Sequence, residues 1–346
     1  MLALGKKELK PGIEWLEKYV PVPQKNEVLV KVLYTSICGT DLHIYEMNDW
    51  AKHRIKEAHT MGHEFVGRVV ALGEGVTTRK IGDLITAETH IVCNNCEYCL
   101  NNQKHICENT VVLGVDIDGC FAQYISIPEE NAILNDEHIP HHMLSVLEPL
   151  GNAIHVLQAQ ELKDKTVAVV GVGPIGIMAV DGALALGAKK VVAIDVVDYR
   201  LNLAKTIGAH YTINAKNEDV EKRIFECFGK NGVDVVCEMS GHPIALKQAL
   251  HFLKPGGHLS ILGIPNNEVS IDITNDVVFK GIHIHGITGR EMFNTWDIIK
   301  TLLREDKLHL DKVITHVLDW TEVEEGMRLM ASGDCGKVVL KVSDDE

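Results

Sequence analysis

Residues 166–195, TVAVVGVGPIGIMAVDGALALGAKKVVAID, decide the fold of the second half of this chain. The apolar run 166–170 predicts a buried strand, and GVGPIG at 171–176 has the G-x-G-x-x-G pattern of a tight turn that opens a helix. The first glycine permits the turn, the second lets a phosphate approach the backbone, and the third lets helix and strand pack closely. The next strand ends in Asp195, whose carboxylate can accept hydrogen bonds from ribose hydroxyls. The stretch therefore predicts a dinucleotide-binding β-α-β unit.

Strands and helices continue to alternate around this unit. Helical patterns at 199–207 and 243–253 separate apolar runs that we interpret as strands. The six predicted strands lie at residues 166–171, 191–195, 211–213, 234–238, 258–262 and 283–287. Such an alternation is typical of a doubly wound parallel sheet, the Rossmann fold, and gives the chain an α/β class.

The first 150 residues have a different pattern, with short alternating strands such as 27–34 and frequent Gly and Asp between them. This pattern predicts a β-barrel-like domain. The last strand, at 337–341, has no place in the parallel sheet, and we expect it to return to the first domain. The final acidic residues are expected to be frayed.

Composition excludes several classes of function. Of the 346 residues, 46% are hydrophobic and 24% are charged, and the formal net charge is −14. A net negative chain is the wrong sign for binding a phosphate backbone or an anionic membrane surface. The longest uncharged apolar run, 167–180, is too short for a membrane span, and the N-terminus lacks the pattern of a secretory signal. We therefore expect a cytoplasmic protein that binds neither nucleic acid nor membrane.

Four cysteines form a cluster with short spacings, C-x2-C-x2-C-x7-C, at Cys93, Cys96, Cys99 and Cys107. In a reducing compartment such a cluster indicates a metal site rather than disulfides. Four thiolates complete a tetrahedral Zn²⁺ and leave no position for substrate. The spacing therefore predicts a structural zinc site.

A second set of candidate ligands is dispersed. Cys38 lies in ICGTDLH, and His63 and Glu64 lie in MGHEF. Cysteine, histidine and a carboxylate can hold a catalytic zinc with one position open to substrate. Spacing alone cannot join Cys38 to His63, so packed or solvated side chains remain an alternative interpretation at this point.

Six segments in order across nearly the whole chain resemble the zinc-containing medium-chain dehydrogenases/reductases. They are ICGTDLHIY (37–45), GHEFVGRVVALGEGV (62–76), the four-cysteine segment, EPLGNAIH (148–155), GVGPIGIMA (171–179) and GKVVL (336–340). The resemblance implies a GroES-like β-barrel catalytic domain at residues 1–147 and 294–346. It also implies an NAD-binding Rossmann domain at 148–293, with the active site in the cleft between the two.

The resemblance assigns roles to individual residues. It makes Cys38, His63 and Glu64 ligands of a catalytic zinc, in addition to the structural zinc, and it matches Thr40 and His43 to a proton relay. Glu148 matches a carboxylate that lies in or just outside the zinc coordination shell. Residues expected to contact the cofactor are Gly171, Gly173, Ile175, Gly176, Asp195, Arg200, Leu262, Gly263, Ile264, Gly286 and Ile287. Asp195 favours NAD because it repels a 2′-phosphate, whereas nearby Arg200 keeps NADP open.

Four segments indicate a substrate by their resemblance to part of the family: CGTDLHIY, CEMSG (237–241), LGIP (262–265) and GITGREMFNTW (286–296). They resemble members that oxidise L-threonine to 2-amino-3-oxobutanoate with NAD⁺ in threonine catabolism, and the resemblance also suggests a homotetramer. Segment 46–60 fits the family poorly. One alternative is a zinc polyol dehydrogenase acting on 2,3-butanediol or sorbitol, and another is a nucleotide-binding zinc protein without catalysis.

Overall fold

The change of pattern near residue 150 corresponds to a change of architecture in the computed structural model, which describes residues 1–345. One unit contains Met1–Pro149, Ile314–Ser332 and the described residues from Lys337 onward. The other contains Leu150–Val313 and Gly333–Gly336. The predicted fold class, a β-barrel-like domain followed by a parallel α/β domain, is confirmed.

The elements are numbered along the chain. The strands are β1 Leu2–Gly5, β2 Glu14–Glu17, β3 Glu27–Ser36, β4 Glu64–Leu72, β5 Leu84–Ala87, β6 His90–Ile91, β7 Val111–Val112, β8 Tyr124–Pro128, β9 Ala132–Leu134, β10 Thr166–Val170, β11 Lys190–Asp195, β12 Tyr211–Asn214, β13 Val233–Glu238, β14 Leu253–Ile261, β15 His283–Gly286, β16 Ile314–Asp319 and β17 Lys337–Lys341. The α-helices are α1 Gly39–Glu46, α2 Asp49–Arg54, α3 Glu97–Leu100, α4 His141–Leu144, α5 Leu147–Gln158, α6 Pro174–Ala185, α7 Asp198–Ile207, α8 Val220–Phe228, α9 Pro243–Phe252, α10 Asn294–Arg304, α11 Leu310–Val313 and α12 Val323–Ser332.

The first unit is built around a seven-stranded sheet in the order β16-β17-β3-β4-β5-β9, with β8 also paired to β3. The long strand β3 is buried over most of its length: Val28, Val30, Val32 and Leu33 are fully buried, and Leu29 is nearly so. The C-terminal strand β17 pairs antiparallel with β3, so the expected return of the chain to the first domain is confirmed.

The last described residues are held rather than frayed. Arg68 donates to both carboxylate oxygens of Asp345, at 2.8 and 2.7 Å. Ser343 donates to the carbonyl of Val32 at 2.6 Å. The expectation of a frayed acidic tail is therefore wrong up to Asp345, because side chains of the barrel bind the tail.

The second unit is a six-stranded parallel sheet in the order β12-β11-β10-β13-β14-β15. Its core contains Ala168, Val192 and Val236 from three neighbouring strands, packed with Leu246 and Leu250 of α9. All six predicted strands are present, and strand β10 lies where the chain reverses direction across the sheet. In such folds ligands bind at this reversal, beyond the carboxyl ends of the strands.

The compact units differ from the predicted domain boundaries. Helices α10 and α11 belong to the second unit, whereas the prediction placed residues 294–313 in the catalytic domain. The physical reason is packing: α11 contacts α6 and α7. In addition, His309 binds the buried carboxylate of Asp181 through its backbone N–H and Nδ1, at 2.7 and 2.9 Å.

Among the described residues, no helix is both long and apolar enough to span a membrane.

Candidate metal centres and nucleotide site

The pairing of two strands brings the dispersed ligands together. Strand β3 pairs antiparallel with β4, so that Ser36 lies opposite Glu64. Cys38 follows the end of β3 and His63 precedes the start of β4, so both lie at the same end of the strand pair. Ligand atoms of Cys38, His63 and Glu64 lie within 4.8 Å of one another. The pairing that spacing alone could not establish is therefore present in the fold.

The donor set fits a zinc ion. His63 Nδ1, Glu64 Oε1 and Asp41 Oδ1 are buried and have no hydrogen-bond partner within residues 1–345. Leaving buried polar atoms unpaired costs free energy, and a bound cation would satisfy negatively charged and lone-pair donors. A thiolate, an imidazole and a carboxylate with a fourth position open are the ligand types of a catalytic Zn²⁺.

Asp41 is a buried acidic neighbour of this cluster that was not among the site residues predicted from the sequence. It is fully buried, and its Oδ2 accepts a hydrogen bond from the backbone N–H of Cys38 at 2.9 Å. Its Oδ1 lies 3.8 Å from His63 Nδ1, and burial raises the pKa of the Asp41 carboxyl. Helix α1 begins directly after the candidate ligand Cys38, and Asp41 is its third residue. An acid at this position can form a capping box with the N-cap residue Cys38, and this was the sequence signal that could have identified Asp41.

The electrostatics of the cluster also favour a cation. Burial alone would lower the pKa of His63, because it disfavours the charged ring. Negative groups outweigh burial and raise this pKa well above its ordinary value; they are Asp41, Cys38 and Glu148. The same negative groups would favour a bound Zn²⁺.

A buried ion pair holds Glu64. Lys337 Nζ lies 2.5 Å from Glu64 Oε2 and donates to the carbonyl of Ile37 at 2.7 Å. The hydroxyl of Ser36 donates to the same carboxylate oxygen. Both partners were missed from the sequence, because Lys337 reaches Glu64 only through the pairing of β17 with β3.

Glu148 lies near the cluster but outside it. It is in the first turn of α5, is almost fully buried, and accepts a hydrogen bond from the Thr89 hydroxyl at 3.0 Å. Its carboxylate is not one of the three grouped ligand atoms, although its charge acts on His63. A carboxylate at this position could either bind a metal in the cluster or act on it from outside the coordination shell.

Thr40 and His43 both lie on helix α1, three residues apart and therefore one turn apart. His43 is exposed, and its ring centroid lies 6.2 Å from that of Trp50. Its Nδ1 lies 2.8 Å from the side-chain nitrogen of Asn48, in the segment that fitted the family poorly. The structure thus adds Asn48 to the residues around the predicted relay.

The four predicted cysteines of the structural site converge. Their sulfur atoms all lie within 4.8 Å of one another, and Cys93 and Cys96 lie 3.5 and 3.9 Å from the sulfur of Cys107. Zn–S bonds of about 2.3 Å in a tetrahedron separate the sulfurs by roughly 3.8 Å. Backbone hydrogen bonds, chiefly from Asn95, lower the pKa of Cys93 to about 6, whereas burial raises the pKa of Cys99 to about 12. The fit to zinc therefore rests on the positions of the four sulfur atoms. The set fits a closed zinc site.

The glycine turn at the end of β10 has the predicted shape. Gly171 has φ +86°, and a Cβ there would lie 2.8 Å from Ser240. A Cβ on Gly176 would lie 2.0 Å from the carbonyl oxygen of Gly171, whereas one on Gly173 would meet nothing within 4 Å. The first and third glycines therefore permit the turn and the packing, and the second faces open space where a phosphate could approach.

Asp195 holds the glycine turn as well as facing a cavity. Its carboxylate accepts hydrogen bonds from three backbone N–H groups, those of Val172 (2.8 Å), Val196 (2.7 Å) and Val197 (3.0 Å). A carboxylate has about four lone-pair sites, so roughly one remains for a ribose hydroxyl. The predicted ribose ligand is thus also a structural residue of the turn.

A cavity of about 500 Å³ lies beside Asp195 in the second unit. Four predicted cofactor residues line it: Gly171, Gly173, Asp195 and Arg200. Residues that the sequence did not indicate also line it, including Ser240, His242, Ile244 and Gln248. Arg200 donates to the carbonyl of Gly333 at 3.3 Å, so its guanidinium has a partner within the protein.

The other predicted cofactor residues lie outside the lining of that cavity. Ile175 and Gly176 are in the first turn of α6. Leu262, Gly263 and Ile264 follow β14, Gly286 is the last residue of β15, and Ile287 follows it. Backbone bonds tie them to the sheet, for example from Leu262 N–H to the Glu238 carbonyl at 2.9 Å. They continue the same carboxyl edge of the sheet from β10 toward β15.

A closed four-thiolate site, an open Cys-His-Glu site and a dinucleotide-type cavity in one chain define a zinc-dependent dehydrogenase. Two family models match: an alcohol dehydrogenase GroES-like domain over residues 24–137 and a zinc-binding dehydrogenase domain over residues 174–305. The chain belongs to the zinc-containing medium-chain dehydrogenase/reductase family.

Its curated relatives narrow the comparison. The chain is 52% identical to the L-threonine 3-dehydrogenase of Caldanaerobacter subterraneus subsp. tengcongensis and 48% identical to that of Bacillus licheniformis, with 98% of each chain covered. Among solved structures it resembles an E. coli CFT073 short chain alcohol dehydrogenase complexed with NADH (TM-score 0.90, 26% identity, 99% of each chain covered). It also resembles the 2R,3R-butanediol dehydrogenase of Bacillus subtilis (TM-score 0.90, 26% identity, 99% of this chain and 100% of that one).

Proposed function

We propose that this protein oxidises the β-hydroxyl of L-threonine to a ketone, giving 2-amino-3-oxobutanoate, and transfers the hydride to NAD⁺. The observation that carries the proposal is the grouping of Cys38, His63 and Glu64 in a chain that is 52% identical to an L-threonine 3-dehydrogenase. By comparison, its identity to a butanediol dehydrogenase is 26%, which favours threonine over the polyol alternative.

In this proposal Cys38, His63 and Glu64 hold a catalytic zinc, and Cys93, Cys96, Cys99 and Cys107 hold a structural one. A zinc ion at the first site supplies a Lewis acid that lowers the pKa of an alcohol near it. Asp41 places a carboxylate 3.8 Å from His63 Nδ1, and Lys337 and Ser36 fix the carboxylate of Glu64. These neighbours keep the ligands in place before substrate arrives.

The chain's own groups then move the proton and hold the substrate region. Thr40 and His43 carry the alcohol proton toward solvent, which the exposure of His43 supports. Glu148 accepts a hydrogen bond from Thr89 and adds negative charge beside the ligand cluster. This charge acts on the site as the substrate hydroxyl loses its proton.

The proposed cofactor is NAD, bound at the carboxyl edge of the parallel sheet. The open space at Gly173 suits the pyrophosphate, and the free N–H groups at the start of α6 favour negative charge. The Asp195 carboxylate would accept a hydrogen bond from a ribose hydroxyl and would repel a 2′-phosphate. The bond from Arg200 to Gly333 gives its guanidinium a role other than binding a 2′-phosphate, which further supports NAD over NADP.

The experiment that tests the function measures NADH production from L-threonine, 2,3-butanediol and sorbitol, with zinc counted on the same sample. We expect the highest kcat/KM for L-threonine and about two Zn²⁺ per chain. Cys38→Ser should lose turnover and one zinc while remaining folded, and the matched variant Cys96→Ser should mainly lower thermal stability. A higher kcat/KM for a polyol would replace threonine with the polyol function, and NAD binding without turnover of any alcohol would favour the non-catalytic alternative.

We further propose a homotetramer in the cytoplasm. The nine cysteines are free in the structure, as suits a reducing compartment. Strand β15 is the last strand of its sheet, and the apolar side chains near it are exposed, with Phe279 at 77% and Ile284 at 43%. An uncovered strand edge next to apolar surface supports association with a second copy of the chain.

A further inference from the structure

Asn48 occupies the junction between the two short helices beside the predicted relay. Helix α1 ends at Glu46, its C-cap Met47 has left-handed backbone angles (φ 51°, ψ 47°), and Asn48 is the N-cap of α2. The backbone N–H of Asn48 also donates to the carbonyl of His43 at 3.3 Å. The position of Asn48 relative to His43 is therefore fixed by the backbone as well as by its side chain.

The orientation of the Asn48 amide follows from its capping bond. The backbone N–H of Ala51, a fully buried residue, donates to Asn48 Oδ1 at 3.0 Å. An N–H group can only donate, so the atom facing Ala51 must be the carbonyl oxygen of the amide. The other amide atom, 2.8 Å from His43 Nδ1, is then the NH₂ group.

This geometry determines the tautomer of His43. An amide NH₂ has no acceptor capacity, so Nδ1 must accept the hydrogen bond and carry no proton. In the neutral ring the proton then lies on Nε2. We propose that Asn48 is a positioning residue that holds neutral His43 as the Nε2–H tautomer and leaves Nδ1 as its only basic nitrogen.

The consequence concerns proton release, and it rests on the proposed role of His43 in threonine oxidation. Nδ1 has one lone pair, so it takes up a proton only after the hydrogen bond from Asn48 breaks. The ring is then positive, and loss of the Nε2 proton to water restores neutrality. The resulting Nδ1–H faces the Asn48 NH₂ with two donors and no acceptor. Asn48 therefore disfavours both the charged ring and the other tautomer, and it returns the ring to its starting form for the next turnover.

Charged groups on the elements around α1 have other partners in the structure. On α1 itself, Asp41 is buried beside His63 and Glu46 is exposed. On α2, Lys52 pairs with Asp49. On α12, Arg328 pairs with Glu325, and Glu324 accepts a hydrogen bond from the Tyr45 hydroxyl. Lys6 donates to backbone carbonyls, including that of Tyr45. Asn48, by contrast, contacts the His43 ring directly, 2.8 Å from Nδ1.

The test uses two variants that both retain an N-cap for α2. Asn48→Asp keeps the oxygen for Ala51 but offers a carboxylate to His43, which stabilises the charged ring. Asn48→Ser also caps the helix but removes the NH₂ donor. In the wild-type holoenzyme, ¹⁵N NMR of the ring nitrogens, with the His43 signals assigned by their loss in His43→Gln, should show protonated Nε2 and unprotonated Nδ1.

Rates give the second readout. In Asn48→Asp the rise of kcat/KM with pH should move upward by about one pH unit or more, because an opposite charge at hydrogen-bond distance raises the pKa of a histidine. The Asn48→Ser protein should show both tautomers of neutral His43 and a smaller shift in the pH dependence of kcat/KM. A wild-type His43 protonated on Nδ1, or an Asn48→Asp protein with unchanged tautomer and pH profile, would overturn the proposal.

The two proposals fail in different ways. If L-threonine is not the substrate, the wild-type rate assay fails, whereas the NMR tautomer and its change in the two variants still decide the role of Asn48. If Asn48→Asp does not fold, the wild-type tautomer and the Asn48→Ser comparison remain decisive. Thermal unfolding of each variant identifies that case.

Discussion

At the scale of single residues, the most consequential contact is the buried ion pair between Lys337 and Glu64. Both side chains are almost completely inaccessible to solvent, so neither charge can be screened by water. Burial lowers the pKa of Lys337, but the charges of Glu64 and Cys38 outweigh it, so that this pKa is raised and the ammonium is retained. Removing one member of such a pair leaves the other buried and uncompensated.

We therefore predict that Lys337→Met destabilises the chelator-treated protein by about 3–5 kcal/mol, measured by urea unfolding. The loss should be smaller with zinc present, because the cation restores positive charge beside Glu64. Lys341→Met is the matched control, since Lys341 lies on the same strand with its side chain 44% exposed and pairs with Asp344 at the surface. Equal effects of the two substitutions would contradict the importance of the buried pair.

Asp195 is the second residue with two roles. Asp195→Ala should weaken NAD binding, narrow the ratio of kcat/KM between NAD and NADP, and cost roughly 1–3 kcal/mol of stability, because the buried Val172 N–H loses its acceptor. Asp198→Ala removes an equal charge three residues away without touching the glycine turn, and it should leave the cofactor ratio near the wild-type value. An unchanged ratio in Asp195→Ala would show that another group selects the cofactor.

At the scale of elements, strands β14 and β15 carry three stacked imidazoles, those of His258, His283 and His285. The ring centroid of His258 lies 4.6 Å from that of His283 and 5.3 Å from that of His285. His258 Nδ1 lies 3.0 Å from His285 Nε2, a distance that requires at least one of the two nitrogens to be unprotonated. Burial, reinforced by the neighbouring imidazoles, lowers the pKa of both His258 and His285.

The sign of the pH dependence follows from these lowered values. The unfolded chain takes up protons near pH 6.5, before the folded stack does, so the stack contributes its full stability above that pH and loses it as the pH falls through the folded values. We predict that thermal stability drops between pH 7 and 5 and that His285→Gln makes this drop shallower. His251→Gln, at an exposed histidine paired with Glu221, is the control and should leave the slope nearly unchanged.

At the scale of the whole molecule, the prediction concerns association. Light scattering after size exclusion should give a mass of about four times 38.3 kDa. Ile284→Lys, which places a charge on the edge strand β15, should reduce that mass without lowering the zinc content per chain. Lys216→Glu, a charge change on an exposed residue away from β15, should leave the mass unaltered. A monomeric wild-type protein would rule out the tetramer.

The sequence alone determined those features that depend on residues close together in the chain. The four cysteines span 15 residues, and the glycine turn lies between a strand and a helix that adjoin it, so spacing and apolar periodicity suffice to predict them. The alternation of strands and helices likewise predicted the parallel sheet, because each crossover is local. Family resemblance added the pairing of Cys38 with His63, which spacing could not establish.

Only the tertiary structure decided which distant residues surround these sites. Lys337 meets Glu64 because β17 and β4 flank β3, and that register depends on packing across the whole barrel. Asp41 is buried rather than solvated because α1 turns its first acidic residue toward His63. The placement of residues 294–313 in the second unit and the contact of Asn48 with His43 likewise come from side-chain packing and helix capping. A short sequence pattern contains neither kind of information, because both depend on where other elements of the chain lie.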